Sequence, residues 1–168
     1  MENKPSKQYT LVFILKDTPD KTSREILLGL KKRGFGTGKW NGFGGKLEPG
    51  ETVVAAAVRE LHEESGLLCD STSLTKVAKL RFDMATSIML VDTYIGSFND
   101  CSGTVVESEE MRPCWFAESE IPYHDTWPDD KFWLPLVLRG KKVVGEFEYG
   151  SDDHTILRHT VEEVTELP

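Results

Sequence analysis

Glu60, Glu63 and Glu64 stand three and four residues apart in the run Arg59-Glu-Leu-His-Glu-Glu64. On a helix that spacing puts all three carboxylates on one face. Hard divalent cations prefer such oxygen donors, and Mg²⁺ keeps bound waters that can become nucleophiles. Like charges at these spacings cost an isolated helix about 0.2–0.5 kcal/mol per pair. Arg59 is the one cation within the stretch, so a bound Mg²⁺ or Mn²⁺ would relieve the repulsion. The alternative reading is a solvated acidic surface.

The spacing has meaning only if the segment is helical, and local signals agree that it is. Pro49-Gly50 makes a turn, Thr52 suits the N-cap, Ala55, Ala56 and Ala57 are strong helix formers, and Gly66 suits the position just past the end. Val54, Ala57, Val58 and Leu61 then form a separate apolar stripe for packing, which leaves the acidic stripe free.

The frame around the acids decides between the two readings. Gly45, five residues, Glu51, seven residues, Arg59-Glu60-Leu61, one residue, Glu63-Glu64, one residue and Gly66-Leu67 resembles the signature box of the Nudix (MutT-like) hydrolases at every defined position. So many fixed residue types at fixed spacing make a far more specific signal than a lone glycine motif. The resemblance implies a loop, helix and loop whose glutamates hold metal against a nucleoside diphosphate linked to another group. By that resemblance the metal ligands are Glu60, Glu63, Glu64 and the backbone carbonyl of Gly44, Arg59 orients the acids, and Glu51 braces the loop.

Composition bounds the rest. With 39% hydrophobic and 29% charged residues in a chain of 168, one globular domain over residues 1–168 is expected, without linker or repeat. No apolar stretch reaches the roughly 18 residues that span a bilayer, and the first ten residues carry no signal-like apolar segment. A cytoplasmic monomer is the default expectation. Cys69, Cys101 and Cys114 are odd in number and lack Cys-x-x-Cys spacing, so they are expected to be reduced and structural. His62-Glu63 begins a zinc-protease pattern, but Gly66 stands where its second histidine would be; His62 is read as an exposed helix residue.

A net charge of −8 argues against nucleic acid as the main partner. Lys31, Lys32, Arg33, Lys39 and Lys46 nevertheless cluster just before the acidic helix. A positive rim beside a metal-loaded acidic floor suits a small polyphosphate; otherwise these residues merely keep a loop soluble. Residues 34 to 45 hold six glycines yet match neither the P-loop nor the Rossmann pattern. Phe35, Trp40 and Phe43 between them suggest an ordered loop with packed rings.

Strand character covers Tyr9 to Leu15, Glu25 to Lys31, Val77 to Met84, Ile88 to Ser97, Met111 to Phe116, Lys142 to Tyr149 and Thr155 to Val164. Asn99-Asp100 and Ser102-Gly103 read as turns. A second helix starts near Pro128 and runs toward Gly140, with Pro135 a kink. The fold class expected is α/β (α+β): a mixed β-sheet sandwiched between two helices, as the resemblance also implies.

Asp129-Asp130 beside Trp127 forms a second acidic cluster. Either both acids serve a helix dipole, or they read the edge of a purine while the indole stacks on it. The stretches 31–46, 107–116 and 127–130 resemble the animal branch of the family, whose members act on oxidised purine nucleoside triphosphates. By that resemblance the base pocket comprises Thr10, Phe35, Asn41, Phe82, Trp127, Asp129 and Asp130, with Lys31 near the base or sugar and Pro128 a further substrate-binding residue. Phe43, Gly44, Gly45 and Lys46 complete the substrate site, and Glu110 is an extra metal ligand or base.

The activity implied is Mg²⁺-dependent hydrolysis of 8-oxo-dGTP, 2-hydroxy-dATP and 8-oxo-dATP to monophosphate and pyrophosphate, with Mn²⁺ able to substitute and Glu63, Glu64 or Glu110 accepting the water's proton. One proton shared by Asp129 and Asp130 would let a single pocket read two different base edges. The chain departs from that branch at residues 17–24, which lengthen the first hairpin, at Met84, which replaces an aromatic residue, and over 85–96. A Nudix hydrolase for another nucleotide, such as a methylated purine triphosphate or a dinucleotide polyphosphate, and a nucleotide-binding module without catalysis remain the alternatives.

Overall fold

Burial of β1 (Ser6–Asp17) on both faces explains the architecture. The computed structural model describes residues 3–168. Met1 and Glu2, part of the segment read above as carrying no signal, lie outside it. Val12 and Ile14 pack with Leu27, Phe43, Ala57 and Leu61 on one face of the sheet. Phe13 and Leu15 pack with Ile26, Leu28, Trp133 and Leu134 on the other. A strand buried on both faces must be apolar throughout, which is why Tyr9 to Leu15 shows no alternation.

The large mixed sheet runs β10-β9-β5-β6-β1-β2-β3, and β8 (Met111–Ala117) pairs with the far edge of β2. Here β2 is Arg24–Lys31, β3 Trp40–Asn41, β5 Thr75–Asp83, β6 Ile88–Ser97, β9 Lys142–Tyr149 and β10 Ile156–Val164. The β1–β6 and β5–β9 pairs are parallel and the other pairs antiparallel. Helix α1 (Val53–Ser65) covers one face through Ala57 and Leu61, and α2 (Asp130–Leu138) covers the other through Trp133, Leu134, Val137 and Leu138. The expected sandwich is therefore the observed one. Pro135 lies inside α2.

The sheet is split where the cavity described below opens. β1 pairs with β2 only from Ile14↔Leu27 to Asp17↔Arg24. Closer to its start, β1 takes its partners from the glycine-rich segment: Thr10 N–H donates to the Gly45 carbonyl at 2.9 Å, and Val12 N–H to Phe43 at 2.7 Å. The freed half of β2 pairs instead with β3, Gly29 opposite Asn41 and Leu30 opposite Trp40.

A small second sheet corrects two expectations. β4 (Leu67–Cys69) pairs antiparallel with β7 (Cys101–Gly103), so Ser102-Gly103 lies within a strand rather than a turn. Cys69 and Cys101 face each other with Cα atoms 4.4 Å apart and form a disulfide, not two thiols. That spacing belongs to a non-hydrogen-bonded antiparallel pair, where side chains come closest. Cys114 is free and exposed.

Candidate active site

The α1 caps match the local signals: Thr52 Oγ1 accepts from Ala55 N–H, and Gly66, at φ 84°, donates its N–H to the His62 carbonyl. Between the caps, Arg59 organises the acids. Its Nε and Nη2 donate to the two oxygens of Glu51 at 2.6 and 2.9 Å, and its Nη1 reaches Glu60 at 3.0 Å and Glu63 at 3.2 Å. Nη2 also donates to the Lys46 carbonyl at 3.1 Å, which ties the helix to the loop before it. The fork geometry holds the Glu51 carboxyl down to about 2.

The acidic stripe is not uniformly open. Glu63 and His62 are exposed, but Glu64 is 5% exposed. Glu64 Oε1 accepts from Gly44 N–H at 2.8 Å, and burial still pushes its carboxyl up to about 7. Burial also raises Glu60. The helix face that carries Glu64 packs against the glycine-rich segment, a tertiary contact that helical periodicity does not reveal. Gly44 is required for the segment's approach to β1, since a Cβ there would lie 1.8 Å from the Thr10 carbonyl oxygen; one on Gly45 would lie 2.5 Å from a Glu60 oxygen and displace that carboxylate.

A cavity of about 260 Å³ runs from these residues to the second acidic cluster. Of the expected site residues, Thr10, Lys31, Phe35, Asn41, Gly44, Gly45, Glu64, Phe82, Trp127, Asp129 and Asp130 line it. Phe43 does not: it is fully buried in the core beneath α1, because it pairs with Val12 and its ring faces the helix side. Lys46 is exposed beside Arg59, and Pro128 is half-buried between two lining residues. Glu110 lies off the cavity wall, paired with Lys31 at 3.1 Å and Arg33 at 2.7 Å, and these cations hold its carboxyl below the usual range.

Those pairings also change the expected positive rim. Lys32 pairs with Glu107 and Arg33 with Glu109 as well, so the 107–110 segment neutralises much of it. Lys39 sits 5.4 Å over the Trp127 ring. Phe35, 58% exposed, lies 5.0 Å from Trp127 at the cavity mouth.

At the closed end, Asp129 and Asp130 are both buried. Burial raises the Asp129 carboxyl, and burial together with the neighbouring Asp129 raises Asp130 well above the ordinary value. Asp129 accepts from Trp133 Nε1 at 2.7 Å and from Tyr149 O–H at 2.5 Å. Neither donor is among the residues expected above: Trp133 stands one helical turn beyond Asp129, a spacing the sequence carries, whereas Tyr149 arrives from β9 and only the folded chain brings it to Asp129. Met89 and Met111, also unanticipated, join Met84 in the wall. Thr10 Oγ1 is buried and unpartnered there.

As a metal cradle the donors are chemically suitable: all are hard oxygens. In the present rotamers no three His, Cys, Asp or Glu side chains among the described residues converge on one point. Glu60 and Glu63 are turned onto Arg59, and Glu64 onto Gly44. A cation would have to draw these oxygens from their present partners.

Comparison with known proteins agrees with the geometry. Residues 8–135 match the NUDIX domain model. The chain is 48% identical over 159 residues to the oxidized purine nucleoside triphosphate hydrolase of Mus musculus, covering 95% of this chain and 96% of that one. It is 44% identical to the Danio rerio protein of the same name, covering 96% and 98%. Among solved structures, a mutator MutT protein from Bacillus halodurans superposes with a TM-score of 0.78 at 21% identity, over 93% of this chain and 97% of that one; this likeness concerns the fold alone. With the signature box, the split sheet and the family match in agreement, the chain belongs to the Nudix hydrolases.

Proposed function

We propose that this Nudix hydrolase cleaves oxidised purine nucleoside triphosphates (8-oxo-dGTP, 2-hydroxy-dATP and 8-oxo-dATP) to the monophosphate and pyrophosphate, removing damaged precursors from the nucleotide pool. One observation carries the reading: a single cavity connects Glu64 and the Gly44-Gly45 loop, suited to phosphates, with an aromatic chamber that ends in two buried aspartates, suited to a base. The names of the two mammalian and fish relatives, each matched over nearly its full length, support the substrate class.

Family members generally use a divalent metal ion; Mg²⁺, with Mn²⁺ as substitute, is the ion proposed for this chain. Glu60, Glu63, Glu64 and the Gly44 carbonyl would hold it, with Glu110 once freed from Lys31 and Arg33. Bound there, it would neutralise phosphate oxygens and acidify a coordinated water. Arg59 keeps Glu60 and Glu63 gathered on the helix that carries Glu64. Glu63, Glu64 or Glu110 would accept the water's proton. Lys31 and Lys39, both in the cavity wall, are placed to receive phosphate or sugar oxygens. Trp127 and Phe35 offer stacking faces, and Asn41, Asp129 and Asp130 offer hydrogen bonds to the base edge. A proton retained by the aspartate pair would offer the base edge one donor and one acceptor.

We further propose that residues 1–168 form one domain that acts as a cytoplasmic monomer without nucleic-acid or membrane partners. β9 and β10 lie beyond the matched segment yet extend the same sheet, and no described helix is long and apolar enough to cross a membrane. The test is turnover of a panel of normal, oxidised and methylated purine triphosphates and dinucleotide polyphosphates, with products identified after reaction in ¹⁸O-water. Selective release of pyrophosphate from the oxidised purines is expected. Faster turnover of another nucleotide would reassign the substrate, and tight binding without cleavage would make the chain a binding module.

A further inference from the structure

Asp129 and Asp130 are adjacent, equally buried and in the same cavity, yet their surroundings differ. Both Asp129 oxygens are engaged by protein donors: Oδ2 by the Trp133 indole at 2.7 Å and Oδ1 by the Tyr149 hydroxyl at 2.5 Å. A carboxyl group that accepts on both oxygens is stabilised in its ionised form. Two carboxylates this close in a buried site resist double ionisation, so the proton retained by the pair goes to the member with fewer donors. That member is Asp130.

Tyr149 is built into the site. It is 4% exposed and lines the cavity. Its ring sits edge-on to Trp127 at 6.3 Å and tilted against Phe82 at 6.3 Å. It stands at the end of β9, outside the 8–135 segment matched to the family. The other titratable groups facing the pair are Tyr123, whose hydroxyl feels Asp130, and Tyr9, Lys31, Lys39 and Glu64 in the same wall; Thr126 is the polar neighbour of Asp130.

We propose that Tyr149 is a positioning residue of the base site. By donating to Asp129 alongside Trp133, it fixes Asp129 as the ionised acceptor and assigns the pair's proton to Asp130. The site then prefers purines that present a carbonyl oxygen to Asp130 over purines that present an amino group there. This rests on the substrate class proposed above.

The test is Tyr149→Phe, which keeps the ring and removes the donor. Without the hydroxyl, Asp129 takes up a proton at higher pH, so the form with both acids neutral grows in earlier from the acid side. The acid limb of kcat/KM is expected to move up by about one pH unit, the shift that corresponds to losing one hydrogen bond to a charged group. The alkaline limb stays in place, because it reports loss of the Asp130 proton. The preference for 8-oxo-dGTP over 8-oxo-dATP falls about tenfold, chiefly through KM, and the Mg²⁺ dependence is unchanged. In protein without metal, calorimetric affinities for 8-oxo-dGMP and 8-oxo-dAMP shift in the same ratio. An unchanged acid limb and an unchanged ratio in a folded variant overturn the proposal. If Tyr149→Phe does not fold, difluorotyrosine at position 149, a stronger donor, must move the acid limb downward, and no movement is equally fatal. Wild-type protein that binds the monophosphates but cleaves neither triphosphate sinks the hydrolase reading alone, and the binding ratio still decides the role of Tyr149. Binding of neither overturns both.

Discussion

The two acidic clusters solve the same electrostatic problem by opposite means. On α1, Glu51, Glu60 and Glu63 gather around the Arg59 guanidinium, and a fixed positive charge keeps Glu51 ionised far below its usual range. At the other end of the cavity, neutral donors face the pair, Trp133 and Tyr149 on Asp129 and Thr126 beside Asp130, and burial drives protons onto the pair. One end stores negative charge that a cation can claim. The other stores a proton that a base can exchange for a hydrogen bond. Glu64 lies in the cavity wall on the α1 side but, like the aspartates, is buried and raised.

The largest test of this contrast is Glu63→Gln. We expect turnover to fall by about 100-fold or more, while the melting curve changes by no more than about 0.5 kcal/mol, because the side chain is exposed and pairs only with Arg59 among the described residues. Near-normal kcat would remove Glu63 from the charge-storing end. Next in size is a change that spares both ends: reduction of Cys69–Cys101, which closes 32 residues, should cost about 2–4 kcal/mol of stability in denaturant titrations. Cys101→Ser should show the same loss and no further response to reductant.

The proton-storing end is broken with Asp130→Asn. The wild-type folded chain keeps a proton on Asp130 at pH values where the unfolded chain, at about 3.8, has lost it. The native state therefore binds more protons above that pH, and stability falls as pH rises. The variant should lose this slope, as read from unfolding free energies between pH 4 and 8 without metal; an identical slope would place the proton elsewhere. The smallest effect belongs to Asn41→Ala. Its side chain lines the cavity and accepts from Gly42 N–H at 2.8 Å, so relative kcat/KM among purines should shift by about 1 kcal/mol. The Mg²⁺ titration should not move.

What the sequence made legible follows the same division. The charge-storing end is local: Thr52, Gly66 and the acid spacing lie within one helix, so capping and periodicity place them without knowledge of the fold. Seven strands of the large sheet were readable because β1 is buried on both faces and the others carry β-forming runs, whereas the two-residue β3 inside the glycine-rich segment is too short for a pattern. The proton-storing end was legible only as an Asp-Asp pair. Its donors converge from α2 and β9, and nothing near Asp129 in sequence announces Tyr149. Phe43 enters the substrate site only through the resemblance; a ring among glycines does not reveal which face it takes, and its pairing with Val12 turns it inward. The disulfide escaped for a similar reason: β4 and β7 are three residues each, too short for a pattern, and meet only because the chain returns past the end of α1.

β2 gives one edge to β8 from Glu25 to Lys31 and divides the other between β1 and β3. Leu27, on one face, joins the core beneath α1, while Ile26 and Leu28, on the other, join the core beneath α2. No part of the sheet can come apart around this strand without breaking contacts in both layers. Its central amides should therefore exchange with deuterium only through global opening, more slowly than those of the outermost strand β10, which makes β2 the last piece of the molecule to surrender its protons to solvent.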